Sequence, residues 1–150
     1  FFNTTFTNYE MVAAENGKTF RFDNRIHRMI KTDKTLLKQL MTILFDNALK
    51  YTDEDGVIEL TISANDRNLF LKVSDNGPGI STADKKKIFD RFYRVDKART
   101  RQTGGFGLGL SLAKQITEAL KGTIAVKDNK PKGTIFEVKI AIRTDNKKKK

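Results

Sequence analysis

Leu37, Leu40, Met41, Leu44, Phe45 and Ala48 recur at three- and four-residue intervals, which predicts a helix from Asp33 or Thr35 to about Tyr51. The same period returns at Leu112, Ala113, Ile116, Ala119 and Leu120, with Gly122 as a stop. A shorter helix is predicted after Ser81-Thr82-Ala83-Asp84, which has capping-box spacing, with Ile88, Phe89 and Phe92 on its apolar face. Elsewhere the period is two. Ile58, Leu60 and Ile62 alternate with Glu59, Thr61 and Ser63, and Leu69–Ser74 follows after the turn Asn65-Asp66-Arg67-Asn68. Near the C-terminus Thr123–Lys127 and Thr134–Ile142 flank a Pro/Gly turn at Asp128–Gly133. Val12 and Ala14 before Asn16-Gly17, with Phe20 and Phe22 after it, predict a hairpin across Glu10–Asp23. This half-buried alternation argues for an open sheet with helices on one face.

Three stretches depart from these patterns. Val73–Ser81 reads V-S-D-N-G-P-G-I-S, so a strand runs into Asp75 and then into Gly77 and Gly79. A carboxylate at a strand end can accept two hydrogen bonds, and the glycines let backbone approach a flat or anionic ligand; a surface turn with a solvated Asp reads equally well. Asn47 and Lys50 project from one side of a helix end, which suits either a polar surface pair or an amide oxygen for a hard cation beside an ammonium for phosphate. Thr103–Ser111 holds four glycines before a helix, where free N–H groups suit phosphate oxygens. Its G-x-G-x-G spacing is not the dinucleotide fingerprint. Ser111 makes no nucleophile elbow, because Ala113 stands where glycine is needed. Gly17-Lys18-Thr19 fails as a P-loop, since Val12 occupies the position of the required glycine.

Composition narrows the chemistry. With no cysteine, thiol nucleophiles, disulfides and cysteine-rich zinc sites are excluded. The lone His27 reads as a surface or packing residue and rules out a multi-histidine metal centre. The net charge is +11, with Lys147–Lys150 supplying four charges, which favours anionic partners without choosing among them. Between Asp84 and Arg101 eight basic residues face three acidic ones, and Asp96–Gly105 has almost nothing apolar to bury. No apolar run approaches the ~20 residues of a membrane span. The chain reads as a fragment of a longer protein: a leading segment at 1–9, a catalytic domain at 10–142 and a basic, disordered tail at 143–150.

In order, the chain carries L-F-D-N-A-L-K-Y-T at Leu44–Thr52, D-N-G-P-G-I at Asp75–Ile80, I-F-D-R-F-Y-R at Ile88–Arg94, G-F-G-L-G-L-S at Gly105–Ser111 and a weaker K-G-T-I-F at Lys132–Phe136. Together these resemble the catalytic ATP-binding domain of sensor histidine kinases, in the GHKL superfamily with its Bergerat fold. The resemblance runs from about Phe20 to Ile142. It implies an α+β fold: a two-layer α/β sandwich with a mixed five-stranded sheet covered on one face by about three helices. It implies ATP and Mg²⁺ as cofactors. Asn47 matches the metal-binding asparagine, Lys50 a phosphate-contacting lysine, and Tyr51 an aromatic beside the adenine. Asp75 matches the acceptor of the adenine amino group, with Gly77, Gly79 and Ile80 shaping the pocket and Thr134 on the adenine side. Arg94 matches a lid arginine near the phosphates, so the catalytic roles fall to Asn47, Lys50 and Arg94. Phe89 and Phe92 look like lid anchors, and Gly105, Gly107, Leu108 and Gly109 match the glycine box over the nucleotide.

Many family members carry Asn one turn before the metal-binding Asn, and hydrolysing relatives carry Glu; here Ile43 stands there. Without a carboxylate at that place water loses its usual base, which favours phosphoryl transfer. Asp46 lies about 100° around the helix from Asn47 and is a poor substitute. His27-Arg28-Met29 is not the acceptor motif, so the phosphoacceptor histidine is expected in an upstream dimerisation domain. The implied partners are ATP, that domain and a response regulator. The full-length protein is expected to be a homodimer anchored in a bacterial membrane through its upstream part, with this cytoplasmic fragment a monomer that is nearly inert alone. Two rival readings are an ATP-hydrolysing relative and a basic nucleic-acid-binding module. The second is disfavoured because the aromatics sit on apolar faces instead of among surface Lys and Arg.

Overall fold

The computed structural model of the chain describes residues 2–27, 29–53, 55–90 and 109–144. The elements run α1 (Phe2–Glu15), β1 (Thr19–Asn24), β2 (Ile30–Lys31), α2 (Lys34–Tyr51), β3 (Val57–Ala64), β4 (Asn68–Asp75), α3 (Thr82–Lys85), α4 (Gly109–Ala119), β5 (Thr123–Asp128), β6 (Thr134–Ala141) and β7 (Arg143–Thr144). Five strands form one mixed sheet in the order β1-β3-β4-β6-β5. β1 lies parallel to β3, and the other pairs are antiparallel. β2 and β7 make a separate antiparallel pair, so Arg143 and Thr144 belong to a strand inside the stretch read from sequence as tail.

The core lies between one sheet face and α1, α2 and α4. α2 starts where Asp33 accepts the Leu36 N–H at 3.0 Å, so Asp33 is the cap and Thr35 lies within the first turn. All six residues of its predicted stripe are buried. They meet Ile58, Leu60 and Ile62 of β3, Leu69, Leu71 and Val73 of β4, and Phe136, Val138 and Ile140 of β6 in one cluster. The opposite sheet face stays wet, with exposed cross-strand pairs Arg21–Glu59 at 3.6 Å and Lys127–Glu137 at 2.8 Å.

Two expectations are corrected. Glu10–Asp23 is not a hairpin: Glu10–Glu15 are the last turns of α1, and Asn16-Gly17 closes that helix. The Lys18 N–H donates to Ala13 O and the Gly17 N–H to Ala14 O, a Schellman pattern. What overrides the short alternation is aromatic packing. Phe6 and Tyr9 of α1 are buried against Phe20 and Phe45, and Tyr9 stacks on Phe45 with centroids 4.3 Å apart. Truncating a fully buried Phe such as Phe6 costs about 3–5 kcal/mol, so α1 is an integral layer of the sandwich. On α4, Leu112 and Ala119 face outward, while Ala113, Ile116 and Thr117 face inward. The Thr117 hydroxyl is compatible with that position because it donates to Ala113 O at 2.7 Å.

Candidate functional site

Four elements bring their ends together above the core: the last turns of α2, the end of β4, the start of β6 and the first turn of α4. Asn47, Tyr51, Asp75, Gly79, Ile80, Ile88, Leu110 and Thr134 line a cavity of about 40 Å³ there. Sites for small ligands begin at ~300 Å³, so the described residues make the floor of such a site and not its whole.

Asp75 is the last residue of β4, paired with Thr134 on one side and Ile58 on the other, and only 4% exposed. Burial pushes its carboxyl pKa up, against the pull of hydrogen bonds from the backbone N–H groups of Gly77 and Thr134. The Gly77 bond is 2.9 Å. Both bonds favour the ionised form, and a carboxylate so held still has lone pairs for a donor in the cavity. The loop after it packs on the end of α2: a Cβ at Gly77 would lie 2.4 Å from Tyr51 O, so a side chain does not fit. Asn76 turns away and accepts the Val57 N–H at 2.9 Å, fixing the loop to the start of β3.

Across the cavity, α2 presents Asn47 and Tyr51, both half-buried. Lys50 is exposed and does not line the cavity; its charge draws the Asp46 carboxyl pKa down, although burial dominates and leaves it raised. The end of α2 is fixed from below, where Lys18 Nζ donates to Leu49 O. Earlier on the helix the Tyr9 hydroxyl and Thr42 Oγ1 are 2.7 Å apart, and burial pushes the Tyr9 pKa up to about 12. Ile43 is half-buried, and its Cγ2 lies 3.8 Å from the position a Cβ would take at Gly109.

Of the residues singled out from sequence, Asn47, Tyr51, Asp75, Gly79, Ile80 and Thr134 thus converge on one cavity, with Gly77 bonded to Asp75 and Gly109 opening α4 behind Ile43. Phe89 instead packs edge-on against Phe136 with centroids 6.2 Å apart. Phe92, Arg94, Gly105, Gly107 and Leu108 lie outside the described residues. Ile88 and Leu110 line the cavity without having been given a site role from sequence, although each stands in a quoted box, at the start of I-F-D-R-F-Y-R and near the end of G-F-G-L-G-L-S. Among the described residues no three His, Cys, Asp or Glu side chains gather as a metal cage. The Asn47 side chain on the cavity wall offers an amide oxygen, a donor type that hard cations accept. No described helix is long and apolar enough to cross a membrane.

Known proteins agree with this geometry. The sensor protein CiaH of Streptococcus pneumoniae serotype 4 is 81% identical over 150 residues, all of this chain and 34% of the relative, so the chain spans about a third of that protein. A crystal structure of full-length ShkA in complex with AMPPNP superposes with a TM-score of 0.79 at 27% identity, covering 95% of this chain and 29% of that one. Histidine kinase ThkA in complex with the response regulator protein TrrA superposes with a TM-score of 0.74 at 26% identity, covering 93% of this chain and 39% of that one. Residues 32–144 match the family described as histidine kinase-, DNA gyrase B-, and HSP90-like ATPase. The chain belongs to that ATP-binding family, with the fold and sequence of the catalytic domains of sensor histidine kinases.

Proposed function

We propose that this domain holds Mg·ATP for transfer of the γ-phosphoryl group to a histidine on the dimerisation domain of the same two-component sensor, and that a response regulator then receives it. The observation that carries the reading is the buried Asp75 carboxylate, held by two N–H groups and facing a cavity whose other wall is Asn47 and Tyr51. Asp75 accepts the adenine amino group, with Thr134, Gly79 and Ile80 around the base and Tyr51 beside it. Asn47 would hold Mg²⁺, which when bound neutralises phosphate charge. Lys50, in the last turn of α2, brings a cation to the negative end of that helix, where an anion would otherwise be disfavoured. Arg94 and the glycines at 105, 107 and 109 contact the phosphates in this reading, with Leu108 beside them. Gly109 opens α4, whose N-terminal N–H groups favour the same oxygens.

In the reaction an imidazole lone pair of the acceptor attacks the γ-phosphorus, the bond to the bridging oxygen breaks, ADP leaves and the ring gives up its N–H proton. Catalysis rests on positioning and charge neutralisation, with no covalent intermediate on this domain. Ile43 supports transfer over hydrolysis: the side chain beside Gly109 is a methyl-bearing one that cannot take a proton from water. The reading puts the domain on the cytoplasmic side, in a protein anchored and dimerised through its other parts. Supplying the dimerisation domain in trans with labelled ATP tests it: an acid-labile phosphohistidine is expected. Steady release of phosphate by this chain alone, faster than ~0.1 s⁻¹ and so within reach of slow enzymes, would favour the ATPase alternative.

A further inference from the structure

The turn between β5 and β6 carries none of the roles described so far, yet it holds Asp75 from behind. Asn129 Nδ2 donates to the main-chain oxygen of Asp75 at 2.8 Å, across 54 residues of sequence. Gly133, with φ 113°, lies so close that a Cβ would meet that same oxygen at 1.9 Å. Thr134, the next residue, gives its N–H to the Asp75 carboxylate. Asn129 is itself fixed on two sides: its N–H donates to Gly133 O at 3.0 Å, and its Oδ1 accepts the Lys130 N–H at 2.8 Å. With the oxygen taken by a donor, the amide must present Nδ2 to Asp75. The neighbouring Asp128 pairs with Lys85 of α3 at 2.6 Å and anchors the turn further.

From this juxtaposition we propose that Asn129 is a positioning residue for base recognition, acting through the Asp75 main chain. This rests on Asp75 being the acceptor of the adenine amino group. A carboxylate is aimed by the peptide that carries it, and β4 ends at Asp75, so no ladder fixes the chain beyond that residue. The Asn129 clamp replaces the missing ladder bond and sets the direction in which the free lone pairs meet the base. A misplacement of about 1 Å is enough to lose such a contact.

The test compares ATP with inosine triphosphate, which carries an oxygen where adenine carries its amino group. Calorimetric titration of this 150-residue chain gives both affinities for wild type, Asn129→Ala, Asn129→Asp and Asp75→Asn. The Asp variant keeps an oxygen for the Lys130 N–H and sets its second carboxylate oxygen, in place of the donor, against the Asp75 oxygen. We expect both Asn129 variants to lower the ATP-to-inosine preference by about tenfold, the size of one hydrogen bond to a charged group. A change that affects both nucleotides equally, with the preference intact, means that Asn129 only shapes the turn, and overturns the proposal. Wild-type preference in Asn129→Asp overturns it as well, even if Asp75→Asn loses discrimination and the base reading stands. An unaltered preference in Asp75→Asn removes the base reading itself, and the Asn129 proposal with it.

Discussion

The two ends of the cavity are built on different terms. At one end Asp75 sits 4% exposed between two strands, with its carboxylate, its main-chain oxygen and the following loop all hydrogen-bonded. At the other, Asn47 is half-buried on the last turns of one helix, and Lys50, outside the cavity lining, is exposed. Under the proposed function the difference follows the ligand. A base amino group is neutral and directional, so recognition needs an acceptor held in place before binding. Phosphates are charged and keep much of their hydration, so cations at a helix end serve without being buried. Under the proposed function, specificity thus falls to the rigid end and neutralisation to the exposed one.

Substituting each end in turn is the sharpest way to break this comparison. Asp75→Asn is expected to have the largest effect, at least ~100-fold weaker ATP binding by calorimetry, because it loses a charged acceptor and turns a donor toward the base. Its fold should survive. The Asp75 pKa is raised in the folded state, so the folded protein holds the proton more tightly and ionisation opposes folding. Removing the charge should leave the thermal midpoint at neutral pH unchanged or higher; a large drop would mean that the carboxylate is structural. The same shift predicts that wild-type stability from this group is fully present below the ordinary 3.8 and is lost as pH rises through the elevated folded value. Urea titrations of wild type and Asp75→Asn across that window should differ in slope accordingly.

Asn47→Ala comes next, with about a tenfold loss for Mg·ATP and little for ATP in the presence of a chelator, since only the ion's contact is removed. If both forms weaken equally, Asn47 is not the metal's ligand. Lys50→Ala should cost only a few-fold, about 1 kcal/mol for an exposed charge, and more at low salt than at high. An effect on Lys50 rivalling that of Asp75 would reverse the contrast between the two ends. Least of all, Asp33→Ala should lower stability by about 1 kcal/mol through the lost cap while leaving nucleotide affinity where it was.

How much of this was legible in the sequence varies from element to element. α2 was readable down to each buried position, because its stripe, Leu37 to Ala48, is a local period repeated over about three turns. The alternating strands β3, β4 and β6 were readable for the same reason, and so was Asp75 at a strand end before two glycines. The first helix was not. Asn-Gly serves a hairpin and a helix end alike, and the choice was made by Phe20 and Phe45, which gather Phe6 and Tyr9 from elsewhere in the chain. Leu112 and Ala119, read from sequence as inner positions of the α4 stripe, face outward because a helix's inner face is set by what it packs on, not by its most apolar residues.

The sequence by itself determined which residues carry charge, amides and glycines, and the local periods that form helices and strands around them. Only the tertiary structure decided that β1 pairs in parallel with β3, that α1 joins α2 and α4 over one face of the sheet, and that Asn129 reaches the main chain of Asp75. The physical reason is the range of the interactions. Periodicity is written in neighbours three or four residues apart, whereas a hydrogen bond between residues 75 and 129 exists only once β6 has brought their strands together.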